Sequence, residues 1–234
     1  AALLGPRLRQ ALGNAVRLFR AVRHLRPAQI YGRALLRLSS PRIEAGAPGQ
    51  PVRPLAHPWT PPVVRPESIF PGGHARFLND DGEIARLAHW NDPTKPKLWL
   101  YNLHYFDDLA GPSGTERAIC QRGLIARWVG ENLLGHGNGW EPYPISIRIV
   151  NWIKWALAGN VLARAMCDSL ALQARWLAQT LEWHLLGNHL LANAKAMTMA
   201  GLYFDGAEAA LWLDTGLAIL ALSWQSKSWL TAPA

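Results

Sequence analysis

Cysteine is nearly absent from this chain. Its two thiols, Cys120 and Cys167, stand far apart and outside any CxxC pattern, which excludes a disulfide framework and a cysteine zinc site. Long apolar runs are missing too. The stretches near 196–204 and 217–224 stop short of the roughly 18–20 uncharged residues that a membrane span needs, and Asp205, Glu208 and Asp214 interrupt them. No membrane span is expected. The first residues carry Arg7 and Arg9 where a signal peptide would have an apolar run ending in small residues, so none is read there. Acidic residues are scarce at the same end: residues 1–65 hold eleven Arg, no Lys and one acid, Glu44, giving +10 there against +8 for the whole chain. Guanidinium forks pair with phosphate, sulfate or carboxylate, so charge alone leaves nucleic acid, a membrane surface and an acidic polymer open. Phe and Tyr are few, five each, against twelve Trp. Indoles offer flat apolar faces with an N–H handle, for a core or for stacking on sugar rings.

With 234 residues, 50% of them hydrophobic, the chain can bury a substantial core. Residues 8–38 show apolar residues at helical spacing (Leu12, Ala15, Val16, Phe19, Val22) with Arg17, Arg20, Arg23 and Arg26 between them, which predicts a basic amphipathic helix broken at Pro27 and a short helix after it. Residues 41–73 are proline-rich, with Pro61-Pro62; lacking amide donors, they predict an extended surface connector. A hairpin is expected around Asp80-Asp81-Gly82 within an otherwise loop-like 71–99. Helical periodicity then covers 116–134, 146–157, 161–183, 190–204 and 208–222, with short links containing Gly or Pro. The fold class is therefore all-α, an array of antiparallel helical hairpins; bundle, solenoid and α/α toroid all satisfy the pattern.

Three stretches can carry chemistry. WLYNLHYFDDL (99–109) reads either as a packed loop whose Asp107 or Asp108 caps the next helix or as part of a site. GWEPYPISIRIVNWIKW (139–155) puts Arg148, Trp152 and Trp155 at i, i+4 and i+7. That is one face with a guanidinium beside two indoles, suited either to packing or to an anionic sugar. In LEWHLLGNHLLANAKA (181–196), His184 and His189 are five apart and fall on different helix faces, against a zinc pair. Gly187 predicts a break there, with Asn188-His189 opening a new inner helix. Asn188, Asn193, His189 and Lys195 are a dense polar set in an apolar segment, and buried polar groups need partners or a ligand.

Together and in this order, the three strings resemble the N-terminal helical domain of the bacterial heparinase II/III-like polysaccharide lyases, over most of residues 20–222. The resemblance implies an incomplete α/α toroid followed by an antiparallel β-sandwich that completes the cleft, and a periplasmic location. It implies β-elimination on a uronic-acid polysaccharide: the carboxylate is neutralised, the C5 proton is removed and the 4-O bond breaks, with no cofactor. A C5 proton is weakly acidic, so preorganised donors must stabilise the enolate-like state. By resemblance Asn188 and His189 are the catalytic neutralisers, while Arg148, Trp152, Tyr101, His104 and Tyr105 line the cleft and bind substrate. The family's catalytic Tyr and sandwich His fall beyond residue 234; Tyr203 is read as a core aromatic. The fragment is thus expected to be inactive alone, with an acidic polysaccharide as partner and neither nucleic acid nor metal.

The domain reading is a basic helical arm (1–40), a connector and loops packed on the toroid (41–100), a partial toroid (101–222) and an aberrant tail (223–234). Residues 223–232, SWQSKSWLTA, abandon the amphipathic pattern. Back-translated in the neighbouring frame they become ELAEQILADG, which restores the periodicity and resembles the family's continuation. A frameshifted, prematurely ended lyase is the expectation, with an apolar face left uncovered. A non-catalytic acidic-polysaccharide-binding module is the alternative. Nucleic-acid binding through the arm is the third and weakest reading.

Overall fold

The computed structural model describes residues 41, 43, 49–57, 59, 64–112, 114–185 and 187–228, the last five by backbone alone. The basic arm read over residues 1–40 and the end of the tail lie outside the described residues. The fold is mostly helical. Strands β1 (Ile69–Phe70), β2 (His74–Phe77) and β3 (Asp80–Glu83) form a small antiparallel sheet in chain order. Six helices follow: α1 (Lys97–Tyr105), α2 (Thr115–Glu131), α3 (Pro142–Leu157), α4 (Arg164–Gln179), α5 (Asn188–Tyr203) and α6 (Ala207–Ser228). Among the described residues no helix is long and apolar enough to cross a membrane.

The hairpin turns at Leu78-Asn79, not at 80–82. Ala75 and Phe77 are buried, so β2 runs to Phe77, which pairs with Asp80. The two residues between them take positive φ, the geometry of a tight hairpin turn. Gly82 belongs to β3, where it pairs with Ala75; it has no side chain because Trp99 lies where its β-carbon would be, and Trp99 Nε1 donates to Asp80 O at 2.9 Å.

The stretch read as a packed loop is helix α1, which buries Trp99, Leu100, Leu103 and His104. Neither Asp107 nor Asp108 caps the following helix, where Gly114 holds the cap position. Asp108 instead accepts hydrogen bonds from the Ser68 and Ile69 amides and from Arg117, tying the connector to the helices. Asp107 accepts from Arg65 and Asn151.

Helix α4 buries Met166, Leu170, Gln173, Ala174 and Leu177, and α2 buries Gln121, Leu124, Ile125 and Trp128, in each case one stripe at helical spacing. Helix α3 opens on Pro142, whose missing amide costs nothing in a first turn. Helix α5 opens after Gly187 at φ +106, a conformation that side chains with a β-carbon avoid. Helix α6 continues through Ser228, so residues 223–228 extend a helix and do not leave it.

Helix α3 sits between α1 and α5. Tyr143 meets His189 and Ser146 meets Asn193 in ascending order, so α3 and α5 run parallel. Trp140 meets Trp176 and Arg148 meets Gln173, so α3 and α4 run antiparallel. Helices α1, α3 and α5 thus form one layer, and α2 and α4 pack together behind it. Trp90, Trp99, Trp128 and Trp152 are fully buried between these elements. Each contributes roughly 4–6 kcal/mol at most by area removed from water. The excess of Trp is therefore chiefly a property of the core.

The connector lies across the α5–α6 turn. The Arg53 amide donates to Tyr203 O at 2.9 Å, the Asp205 amide to Pro51 O at 2.8 Å, and Val52 bridges Phe204. Gln50 Nε2 donates to Glu208, which also takes both guanidinium contacts of Arg175 at 2.7 Å.

Candidate functional site

The start of α3, the start of α5 and the end of α1 meet in one partly exposed patch of tyrosine, histidine and glutamate. Its carboxylate, Glu182, is buried in the link before α5. The Glu182 amide donates to Asn193 Oδ1 at 2.7 Å, and Asn193 Nδ2 donates to Ser146 Oγ at 2.9 Å and to Glu182 Oε2 at 3.2 Å. Ser146 passes its proton on to Pro142 O at 2.9 Å. The other carboxylate oxygen of Glu182 lies 3.0 Å from His189 Nδ1. A carboxylate accepts only, so Nδ1–H donates and Nε2 is the ring nitrogen left for another contact. Protonated, that nitrogen donates to a carboxylate; unprotonated, it takes a proton. The imidazole is 40% exposed, against 8% for the Glu182 side chain.

Tyr143 covers the imidazole with ring centroids 4.4 Å apart. Tyr105 stands edge-on to Tyr143 at 5.9 Å, and Tyr101 lies 6.2 Å from Tyr105. The Tyr101 hydroxyl donates to Glu141, which also pairs with Lys97 at 2.9 Å. Burial first, then Glu141, drives the Tyr101 phenol far above its usual range; burial, Tyr143 and Asp107 do the same to Tyr105. Both phenols are therefore proton donors at neutral pH. Asn188, the first residue of α5, is exposed beside His189.

Three residues expected to line a cleft lie in the core instead. Arg148 is fully buried: Nε donates to Gln173 Oε1 at 2.8 Å, Nη1 to His104 O at 3.2 Å and Nη2 to Gly139 O at 2.8 Å. Its guanidinium stacks 3.8 Å from the Trp128 ring centroid. Burial disfavours its charge, and these acceptors with the indole face offset that cost. Trp152 is also fully buried, edge-on to Phe106 and Trp128. His104 is enclosed as well, its Nε2–H donating to Trp90 O at 2.9 Å and its Nδ1 accepting from Trp128 Nε1 at 3.0 Å. None of the three has an open side to offer a ligand.

The patch thus joins Tyr101, Tyr105 and His189 with Tyr143, Glu182 and Asn193. Tyr143 is hidden in the sequence between two prolines. Glu182 has a signal only through the break at Gly187, which folds it back onto a residue seven positions on. Asn193, four residues after His189, shares its helix side. Among the described residues no group of three or more His, Cys, Asp or Glu side chains could hold a metal ion.

Chemically, the patch can donate hydrogen bonds to an anion and can hold a proton on one imidazole nitrogen. It defines a mostly helical protein with a tyrosine–histidine surface backed by a buried carboxylate. No family model, curated protein or solved structure matches the chain.

Proposed function

We propose that the chain is the helical part of a uronic-acid polysaccharide lyase, an incomplete α/α toroid whose inner helices are α1, α3 and α5. The observation that carries this reading is the His189 imidazole fixed by buried Glu182 beneath Tyr143, with Asn188 exposed beside it and Tyr105 adjacent. Asn188 and His189 neutralise the uronate carboxylate by donating hydrogen bonds to it. With that charge balanced, a tyrosine or histidine base takes the C5 proton, the C5–H electron pair forms the C4–C5 double bond, and the C4–O bond breaks as a tyrosine acid gives its proton to the leaving oxygen. Parallel inner helices joined through antiparallel partners support the toroid arrangement. The tyrosine ring faces support binding of a sugar chain.

A non-catalytic acidic-glycan module is the second reading: the Tyr101 hydroxyl is engaged by Glu141, and the ring faces of Tyr101, Tyr105 and Tyr143 can bind a sugar chain with no base among them. An absorbance assay for unsaturated uronate products separates the two readings. It is run on heparan-like and alginate-like polymers, with the 234-residue chain and with one extended in the neighbouring frame. Product from the extended chain, lost on His189→Ala, is the expected result. Saturable binding without product in either form supports the module, and no binding of any acidic glycan removes both.

A further inference from the structure

A second feature lies on the same helical layer, past Asn151. It is a cavity of about 910 Å³ whose walls include Arg65, Arg122, Lys154, Gln121, Asn151 and Trp155. Among the described residues, three cations line it and no acidic residue does. Asp107, just outside, pairs with Arg65 at 3.0 Å and accepts from Asn151 at 2.8 Å. No described carboxylate pairs with Arg122 or Lys154. The Arg122 guanidinium stands 5.9 Å over the Trp155 ring, and its Nε is buried with no hydrogen-bond partner among the described residues.

The amides of the wall are already engaged. Gln121 accepts from Trp155 Nε1 at 2.8 Å and donates to Asp108 O, also at 2.8 Å. Asn151 Nδ2 donates to Tyr105 O at 2.9 Å, which links the cavity wall to the tyrosine patch. Arg65 is held by Asp107, so the cations left for a ligand are Arg122 and Lys154. Lys154, half buried, has its charge disfavoured by burial and then by Lys195 and Arg65. Like charges gathered around a partly open cavity with one carboxylate nearby favour an anion there.

We infer that this cavity binds a carboxylate or sulfate group of an acidic saccharide, as a second anion site for the chain that crosses the tyrosine patch. Lys154 follows Tyr143 by eleven residues on α3, about 16 Å at 1.5 Å per residue. A polymer lying along α3 from Tyr143 reaches it, and its charged groups would meet Lys154 and Arg122 there. The inference rests on reading the chain as an acidic-glycan protein, though not on catalysis.

The test is calorimetric titration of the 234-residue protein with three hexasaccharides: a polyuronate, a sulfated glycan and a neutral glucan. The parent is compared with Lys154→Met, Arg122→Met, His189→Ala and the Lys154→Met/His189→Ala double variant, each checked for parent-like circular dichroism. Lys154 is only half buried, so its variant serves if the Arg122 variant misfolds. Lys154→Met is expected to weaken an acidic hexasaccharide about tenfold, about 1.4 kcal/mol, with the loss adding to that of His189→Ala. The neutral glucan stays unbound, and the tighter acidic arm identifies carboxylate or sulfate as the ligand. Parent-like affinity in folded Lys154→Met and Arg122→Met overturns the inference while leaving the His189 reading intact. A loss in both, without unsaturated product from the extended chain, upholds the cavity and removes the lyase. A single-stranded oligonucleotide that binds as tightly and is lost with the same substitutions overturns the saccharide assignment.

Discussion

His104 has a single workable protonation state. One ring nitrogen donates to the Trp90 carbonyl and the other accepts from the Trp128 indole, so a second proton would break the indole bond and place a buried charge beside Arg148. Burial, then Arg148, pushes its pKa down to about 3 from 6.5. The folded state therefore binds fewer protons than the unfolded chain between those values. Its contribution is complete above pH 6.5 and is lost as pH falls toward 3, by up to about 1.4 kcal/mol per unit. Urea midpoints should fall between pH 7 and pH 5, and His104→Gln should narrow that difference. Arg148 belongs to the same buried knot. Arg148→Met should cost about 3–5 kcal/mol by stranding Gln173 and two carbonyls, and Arg148→Lys should not restore the loss because an ammonium cannot make the fork. Melting should register both, with acidic-glycan affinity of the surviving folded protein unchanged. Buried Glu182 anchors the exposed His189: on the proposed acidic-glycan reading, Glu182→Gln should lower affinity about tenfold, with a smaller change in melting than Arg148→Met, since it removes the charge that orients His189.

Among the helices, glycine has opposite meanings at different places. Helices α5 and α6 cross so closely at Gly201 that a β-carbon there would sit 2.5 Å from the Leu213 amide nitrogen and 2.7 Å from Ala209 O. At Gly216 it would sit 2.8 Å from Ala194 O. Gly123 and Gly130 on α2 have open space instead. Alanine is about 1 kcal/mol better than glycine inside a helix. Gly123→Ala should therefore raise the denaturation midpoint, and Gly201→Ala or Gly216→Ala should lower it. The same contrast explains what the sequence made legible. Helices α2 and α4 bury one stripe and expose the rest, so their periodicity is readable from residue types. Helix α3 is covered on several sides: the i, i+4, i+7 spacing correctly put Arg148, Trp152 and Trp155 together but could not say that their side faces the interior. Helix α1 is short and aromatic along its length, with Pro96 before it and Phe106 in a left-handed conformation after it, so its loop-like composition concealed a helix. The Asn188 start of α5 was readable because Gly187 marks a backbone conformation. Tyr143 and Glu182 enter the site only through packing between segments, which spacing along one segment does not encode.

For the molecule as a whole, the distribution of aromatic residues separates interior from surface. Indoles fill the core while Tyr101, Tyr105 and Tyr143 form the partly exposed patch, so the tryptophan-rich composition is a poor guide to where a ligand sits. The connector carries a different consequence. Gln50 and Glu208 are 158 positions apart, and the paired amides of Arg53 and Asp205 join one stretch to the other. Closing so long a loop adds little entropy cost beyond a shorter one, but it sets an order of events. During synthesis, the early segment has no bonding partner until the α5–α6 turn has been made, so this clasp closes after the helices between have had time to form. Once closed, neither amide can open without releasing the other strand, and their hydrogen-exchange rates should fall into one shared class.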